Sequence, residues 1–358
     1  MNLVAILHDR ARTTPDAIAI RDVVDGTDRA ITYRELSRRV AAGAAFLERE
    51  GLKPGDTVLL VHPIRIELYE VLLAVFHAGM TAMLVDPSAD RAFIEACCRR
   101  RVPDAYFGSP KAHLLRLAIP ALRKVRRAVH CGGWVPFSRA WSTSGEPAPP
   151  AEVPGDAPAL LTFTSGSTGA PKAAVRTHQF LRAQYRSLSR ALELTDGDVD
   201  LVTLPVFVLA NLAAGVTSVI ADTDLRVPGQ ADAGRIRSQC ARLEVTRCTA
   251  SPAFFEALLA HPEGPPSFQV VHTGGGPVFL DLLDRLQHAL PEARVMALYG
   301  STEAEPIADQ PTAILTTEDR TRASGGGGLP AGLPVEDVDL LILPALGDLY
   351  VDVVTKAD

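Results

Sequence analysis

A chain of 358 residues that is 47% hydrophobic and 22% charged has the composition of a globular protein and room for two or three compact units. With a net charge of −6 and basic residues spread throughout, it shows no nucleic-acid-binding surface, and no apolar run approaches the ~20 residues that a membrane span needs. Its five cysteines, Cys97, Cys98, Cys131, Cys240 and Cys248, form no CxxC pair and no zinc-site spacing, which speaks against a disulfide framework and fits a reducing compartment.

The first residues, MNLVAILHDRAR, hold a very short apolar run broken by His8, Asp9 and Arg10. Neither a secretion signal nor a membrane anchor is expected there, and a cytoplasmic location is. Helices predicted at 41–50 and 67–77 are each followed by a short apolar strand, at 57–61 and 82–85. That alternation predicts an α/β fold of mostly parallel sheets with helices on their faces. The adjacent Cys97 and Cys98 read as unreactive helix residues. Arg116, Arg123, Lys124, Arg126 and Arg127 make the most basic run. As surface charge it needs no partner; as a patch it would meet the phosphates of CoA or an acidic carrier protein. Residues 142–158, rich in Pro, Gly and small side chains, predict a linker between an amino-terminal unit, 1–141, and a second unit, 159–328.

The second unit opens with LLTFTSGSTGAPKAAVRTH, residues 160–178. The apolar residues 159–163 predict a buried strand and 173–176 a short returning one. Between them Thr164, Ser165, Ser167 and Thr168 carry hydroxyls, Gly166 and Gly169 let consecutive N–H groups converge on one anion, and Lys172 adds a point charge. Ala173 stands where the mononucleotide P-loop needs Ser or Thr, so a kinase or GTPase is disfavoured. The plain alternative is a polar surface hairpin. Thr177 then caps a helix with Leu181, Tyr185, Leu188 and Leu192 on one face. Residues 205–229 are largely apolar and read either as core or as an apolar pocket containing Phe207, Val208, Asn211 and Leu212. Residues 324–328, SGGGG, predict a connector, and 329–358 the start of a small β unit.

The 160–178 stretch, taken together with ALYGSTEAEPIA at 297–308, resembles the adenylate-forming superfamily of acyl-CoA synthetases, peptide-synthetase adenylation domains and luciferases. The likeness extends to PDAIAI (15–20), ITYREL (31–36), GLKPGDTVLL (51–60), AGMTAMLVDP (78–87), the GGGP turn of Gly274, Gly275, Gly276 and Pro277, and GDLYV (347–351). It implies the large domain of that family: two helix-flanked, mostly parallel sheets packed in layers. It also implies that Thr164, Ser165, Gly166, Ser167, Thr168, Gly169 and Lys172 hold the ATP phosphates, while Gly274 to Pro277 border the adenine. In the YGxTE element, Tyr299 would lie against adenine, Gly300 and Ser301 would belong with it to the ATP-binding residues, Thr302 would meet a phosphate, and Glu303 would bind Mg²⁺. Lys172, Thr302 and Glu303 are the implied catalytic residues. The loops at 164–172, 274–277 and 299–303 would converge beyond the carboxyl ends of the strands.

The reaction implied is ATP-dependent activation of a carboxylic acid to an acyl-adenylate, followed by transfer to CoA or an acyl carrier protein. Within the superfamily, 205–229 is most similar to fatty-acyl ligases that include the β-lactone synthetases of olefin biosynthesis. An apolar acid is therefore expected, with ring closure of a β-hydroxy acid as the alternative second step. The likeness ends at residue 358, before the ribose-binding aspartate, the hinge and the mobile carboxy-terminal domain that relatives carry. A fragment, half of a two-chain enzyme working with a separate carboxy-terminal domain, and a non-catalytic nucleotide-binding protein are the three readings of that ending.

Overall fold

The computed structural model describes residues 2–85, 89–165 and 171–341, so Gly166, Ser167, Thr168, Gly169 and the GDLYV stretch lie outside the described residues. The chain begins with α1 (Ala5–Thr13), the antiparallel hairpin β1 (Ile18–Val24) and β2 (Thr27–Thr32), and α2 (Tyr33–Arg49). Alternation follows: β3 (Thr57–Val61), α3 (Ile66–His77), β4 (Thr81–Leu84), α4 (Arg91–Arg100), β5 (Ala105–Gly108), α5 (His113–Ala118), α6 (Pro120–Arg123), β6 (Arg127–His130) and β7 (Arg139–Ala140). A second hairpin, β8 (Pro158–Ser165) and β9 (Pro171–Thr177), runs into α7 (His178–Ala191). Then come β10 (Val199–Val202), α8 (Pro205–Ala214), β11 (Thr217–Ile220), α9 (Ala233–Leu243), β12 (Arg247–Ala250), α10 (Pro252–Leu259), β13 (Val270–Gly274) and α11 (Leu280–Ala289). The described chain closes with β14 (Arg294–Tyr299), β15 (Ala308–Pro311), α12 (Thr317–Ser324) and β16 (Leu333–Pro334).

These strands form two sheets. One has seven strands in the order β7-β6-β5-β3-β4-β8-β9, the other nine in the order β16-β15-β14-β13-β12-β10-β11-β1-β2. The central pairs are parallel, as the βα alternation predicts, and such strands are apolar along their length because both faces are covered. β3 is buried at every position. One core unites α2, α3, α7 and α8, with Phe76, Leu36, Leu188 and Val208 among its fully buried members. Two further clusters lie under α9 to α11 and under α4 and α6. Cys97 and Cys98 sit buried in α4, where burial pushes their thiols up to about 11 and about 12, in keeping with unreactive helix residues.

α2 starts earlier than residue 41, because the Thr32 hydroxyl accepts the Glu35 N–H at 3.3 Å and so nucleates the helix at Tyr33. α7 is capped as expected, Thr177 accepting from Phe180 N–H at 3.1 Å. The sheets do not divide at 142–158. β1 pairs in parallel with β11, which carries the first hairpin into the nine-stranded sheet, whereas β8 pairs with β4 and takes the loop-bearing hairpin into the seven-stranded one. β16 pairs with β15, so the described part of 329–358 extends the nine-stranded sheet.

The expected linker is tied down along its course. Ala148 N–H donates to the Ala41 carbonyl at 3.1 Å, and Ala151 N–H to the last carbonyl of α3, that of His77, at 2.8 Å. His77 Nε2 donates to the Ala148 carbonyl at 2.9 Å, which leaves its Nδ1 to accept from His8 Nε2 at 3.1 Å. His8 Nδ1 in turn accepts from the Ser37 hydroxyl at 2.7 Å. Burial first, and His77 second, hold His8 down at about 4. Among the described residues no helix is long and apolar enough to cross a membrane.

Candidate functional site

The β8–β9 pairing sets Thr164 opposite Lys172 and Ser165 opposite Pro171, so the strands deliver both ends of the glycine-rich loop to one place. Lys172 is exposed there. Along β9 the alternation sets Ala174 and Arg176 on the inner face and Ala173 and Val175 on the exposed one, while Lys172, on the Arg176 face but at the loop end of the strand, is exposed.

The other two motifs stand side by side. Gly274 pairs with Leu298 across β13 and β14, so GGGP and YGSTE leave the carboxyl ends of adjacent parallel strands. The glycines have distinct reasons. A Cβ on Gly274 would lie 2.5 Å from the Leu298 carbonyl oxygen, and Gly275 has φ +76°. Gly276 and Pro277 are exposed. At the end of β14, Tyr299 is 52% exposed. Ser301 N–H donates to the Ala304 carbonyl at 2.7 Å and Ala304 N–H returns to the Ser301 carbonyl at 3.2 Å, which closes the turn. Gly300 sits under Glu305, whose Cγ would be 3.2 Å from an added Cβ. Glu303 projects into solvent and Thr302 is half-buried.

Arg176 joins the two groups of loops. Its side chain is buried, and its guanidinium donates to the Thr302 carbonyl. Burial pulls Arg176 below the usual guanidinium range, with Glu305, Tyr185 and Glu303 acting in the other direction. Burial likewise pushes the Glu305 carboxyl up, opposed by Arg176. The hairpin of one sheet thus holds the YGSTE turn of the other. Sequence reasoning did not single out Arg176 or Glu305, because the period-2 pattern of 171–177 groups Arg176 with Lys172 and would have turned the apolar Val175 inward instead.

Between the sheets lies a cleft of about 890 Å³. Leu60, Val61, Leu84 and Phe163 line it from the seven-stranded sheet, Ile220 and Leu225 from the nine-stranded side. Thr162 and Phe163 lead directly into the loop-bearing end of β8. The four residues considered for a pocket are elsewhere. Phe207, Val208, Asn211 and Leu212 are all buried in α8 as core, Leu212 also bordering a cavity of about 20 Å³ beside α1. Asn211 is committed to Asp200, at 2.9 Å, and to the Ser218 hydroxyl, at 3.1 Å. α8 is apolar on all sides, which is why its sequence did not separate pocket from core.

Among the described residues no group of three or more His, Cys, Asp or Glu could hold a metal ion by itself. A single exposed carboxylate such as Glu303 fits Mg²⁺, which is commonly held by one or two carboxylates together with substrate phosphates. The exposed backbone at Gly275 and Gly276, with nothing within 4 Å of a Cβ added at Gly276 and with Tyr299 exposed at the end of the neighbouring strand, fits the flat base of a nucleotide.

The family model described as AMP-binding enzyme matches residues 7–350. The chain is 34% identical over 362 residues to an olefin β-lactone synthetase of Stenotrophomonas maltophilia, covering 96% of this chain and 64% of that protein. It is 31% identical to a feruloyl-CoA synthase of Amycolatopsis, covering 83% of this chain and 58% of the other. The chain therefore spans less than two thirds of these relatives. A crystal structure of a long-chain-fatty-acid-CoA ligase from Archaeoglobus fulgidus superposes with a TM-score of 0.79 at 20% identity, over 94% of this chain and 69% of that one, a likeness of fold.

Proposed function

The chain belongs to the AMP-binding enzyme family, and from that premise we propose that it activates an apolar carboxylic acid with ATP. A carboxylate oxygen attacks the α-phosphorus, the bond to pyrophosphate breaks, and an acyl-adenylate forms. The protein aligns the reactants and stabilises charge on the nonbridging oxygens and the leaving group. Thr164, Ser165, Gly166, Ser167, Thr168, Gly169 and Lys172 hold the phosphates in this reading. Gly274, Gly275, Gly276, Pro277 and Tyr299 border the adenine, Gly300 and Ser301 shape the turn, and Thr302 meets a phosphate. Glu303 holds Mg²⁺, which when bound neutralises phosphate charge. The cleft between the sheets accommodates the acid's tail, within the usual ~300–1,000 Å³ of small-molecule sites. The observation that carries the reading is the Arg176 bond to Thr302, which couples the phosphate hairpin to the YGSTE turn.

Two second steps have support. Transfer to CoA or a carrier thiol is supported by the feruloyl-CoA synthase relative. The olefin β-lactone synthetase relative supports the other: the hydroxyl of a β-hydroxy acid attacks its own adenylate carbonyl, AMP leaves and the ring closes. A mobile carboxy-terminal domain, on the same chain or a separate one, and a cytoplasmic location belong to the same proposal; among the described residues all five cysteines are free. The test uses the full-length protein with ATP, Mg²⁺ and a β-hydroxy fatty acid, with and without CoA. Acid-dependent pyrophosphate exchange is expected, and the mass of the product separates the two second steps. No exchange with any acid defeats the proposal.

A further inference from the structure

In a protein of net charge −6, residues 109–140 carry seven lysines and arginines and no acidic residue. They form α5, α6 and the β6–β7 edge of the seven-stranded sheet. On this edge Leu114 and Leu117 are 64% and 70% exposed, and Trp134 and Phe137 are 80% and 97% exposed. The loop that displays the aromatics is a fixed one. His130 Nδ1 donates to the Ser138 hydroxyl at 2.7 Å, and that hydroxyl donates to the Val135 carbonyl at 3.0 Å. Gly133 lies against Pro110, 3.2 Å from its Cγ to an added Cβ, which sets the loop beside the start of α5. Phe137 itself has φ +55°, a left-handed backbone that a bulky residue adopts only under constraint, here with its ring in open solvent. Some of the cations are engaged: Arg116 covers the Tyr106 ring, Arg127 meets the Glu50 carbonyl, and Arg139 the Glu50 carboxylate at 3.5 Å. Lys111, Lys124 and Arg126 are exposed.

We propose that this edge docks on an anionic lipid bilayer, Trp134 and Phe137 entering the interface while Lys124 and Arg126 meet the headgroups. Exposed aromatic side chains and exposed cations in one stretch of chain are the composition that such interfaces retain. A bilayer fits better than an acidic protein because the two rings stand out into solvent, and because α5 serves both surfaces. Its Leu114 and Leu117 are exposed, whereas Leu115 and the preceding Lys111 line the 890 Å³ cleft. The patch therefore borders the cleft assigned above to an apolar acid, and a membrane is where such an acid dissolves. Only this last link rests on the proposed function; the docking itself does not.

The test is co-sedimentation of the full-length protein with phosphatidylcholine vesicles, with and without phosphatidylserine. Binding to the anionic vesicles is expected, falling between low and high salt and dropping about tenfold in Trp134→Ser/Phe137→Ser and in Lys124→Glu/Arg126→Glu. Unchanged thermal unfolding and ATP binding keep misfolding from imitating that loss. Absent binding, binding indifferent to both double variants, or loss of binding to an acidic carrier protein with none to vesicles overturns the proposal. Pyrophosphate exchange in the same samples reports separately on the proposed activity.

Discussion

Replacing Arg176 with methionine keeps most of the side chain's length and removes the guanidinium that ties β9 to the Thr302 carbonyl. A hydrogen bond to a charged group nets ~1.5–3 kcal/mol, and the carbonyl left behind is partly buried. Against this, burial already disfavours the charged Arg176, so its removal returns part of the gain. The balance is a destabilisation of about 1–2 kcal/mol. Glu305 also loses the cation that opposes its upward shift, so its carboxyl moves further toward the neutral form. The larger effect falls on the ligand. Without the tie, Thr302 is held only by the Ser301–Ala304 turn, so part of its fixing falls to ATP binding, and a cost near 1.4 kcal/mol is about tenfold in affinity. Urea unfolding reads the first quantity and calorimetric ATP titration of the full-length protein the second. An ATP affinity equal to that of the wild type would refute the coupling of the two motifs, whatever happens to stability.

Glu303→Gln and Lys172→Ala should each slow pyrophosphate exchange in the full-length protein by ~10²–10³-fold with an unchanged unfolding midpoint, and exchange at the wild-type rate would remove these residues from the site. Gly274→Ala puts a methyl 2.5 Å from the Leu298 carbonyl, which as backbone cannot step aside, so a loss of about 1–3 kcal/mol in urea unfolding is expected. Gly276→Ala, with nothing within 4 Å of its added Cβ, is the control and should be neutral. His8 and His178 are each held at about 4 against an ordinary 6.5, with burial the main cause. Groups lowered in this way stay neutral in the folded chain, so their contribution is complete above pH 6.5. It is lost as the pH falls from there towards 4, by up to about 3 kcal/mol each at 1.36 kcal/mol per unit. Buried Asp200, raised to about 6, acts in the opposite sense over the same range, so the diagnostic is the comparison with His8→Gln, whose fall below pH 6 should be shallower. Parallel curves for the two proteins would contradict it.

The parts of the fold that were legible in the sequence are those that local chemistry decides. β3 spans 57–61 as expected, α3 begins within a residue of its expected start, and Thr177 caps α7, because apolar runs and capping side chains act over a few residues. What was not legible depends on partners far away in the chain. Nothing within 18–32 announces that β1 will lie beside β11, and nothing within 142–158 announces that Ala148 and Ala151 will fasten to α2 and α3. The site divides in the same way. Gly274, Tyr299 and Lys172 were visible as motif residues, whereas Arg176 acquires its meaning from a carbonyl 126 positions away. For the α8 residues the sequence left core and pocket open, because a helix without a polar stripe gives no direction to read, and the fold places them in the core.

The pairing of Ile20 with Ser218 and Arg21 with Val219 has a consequence in time. Translation at ~5–20 residues per second produces the first hairpin roughly 10–40 s before the strand it must lie against. Through that interval β1 keeps an open edge in the nascent chain and depends on β2 alone for company, although an isolated two-stranded hairpin is at best marginally stable in water. A hairpin made early is thus secured late, and closure of the larger sheet waits on a contact of high sequence separation, the kind that slows folding most.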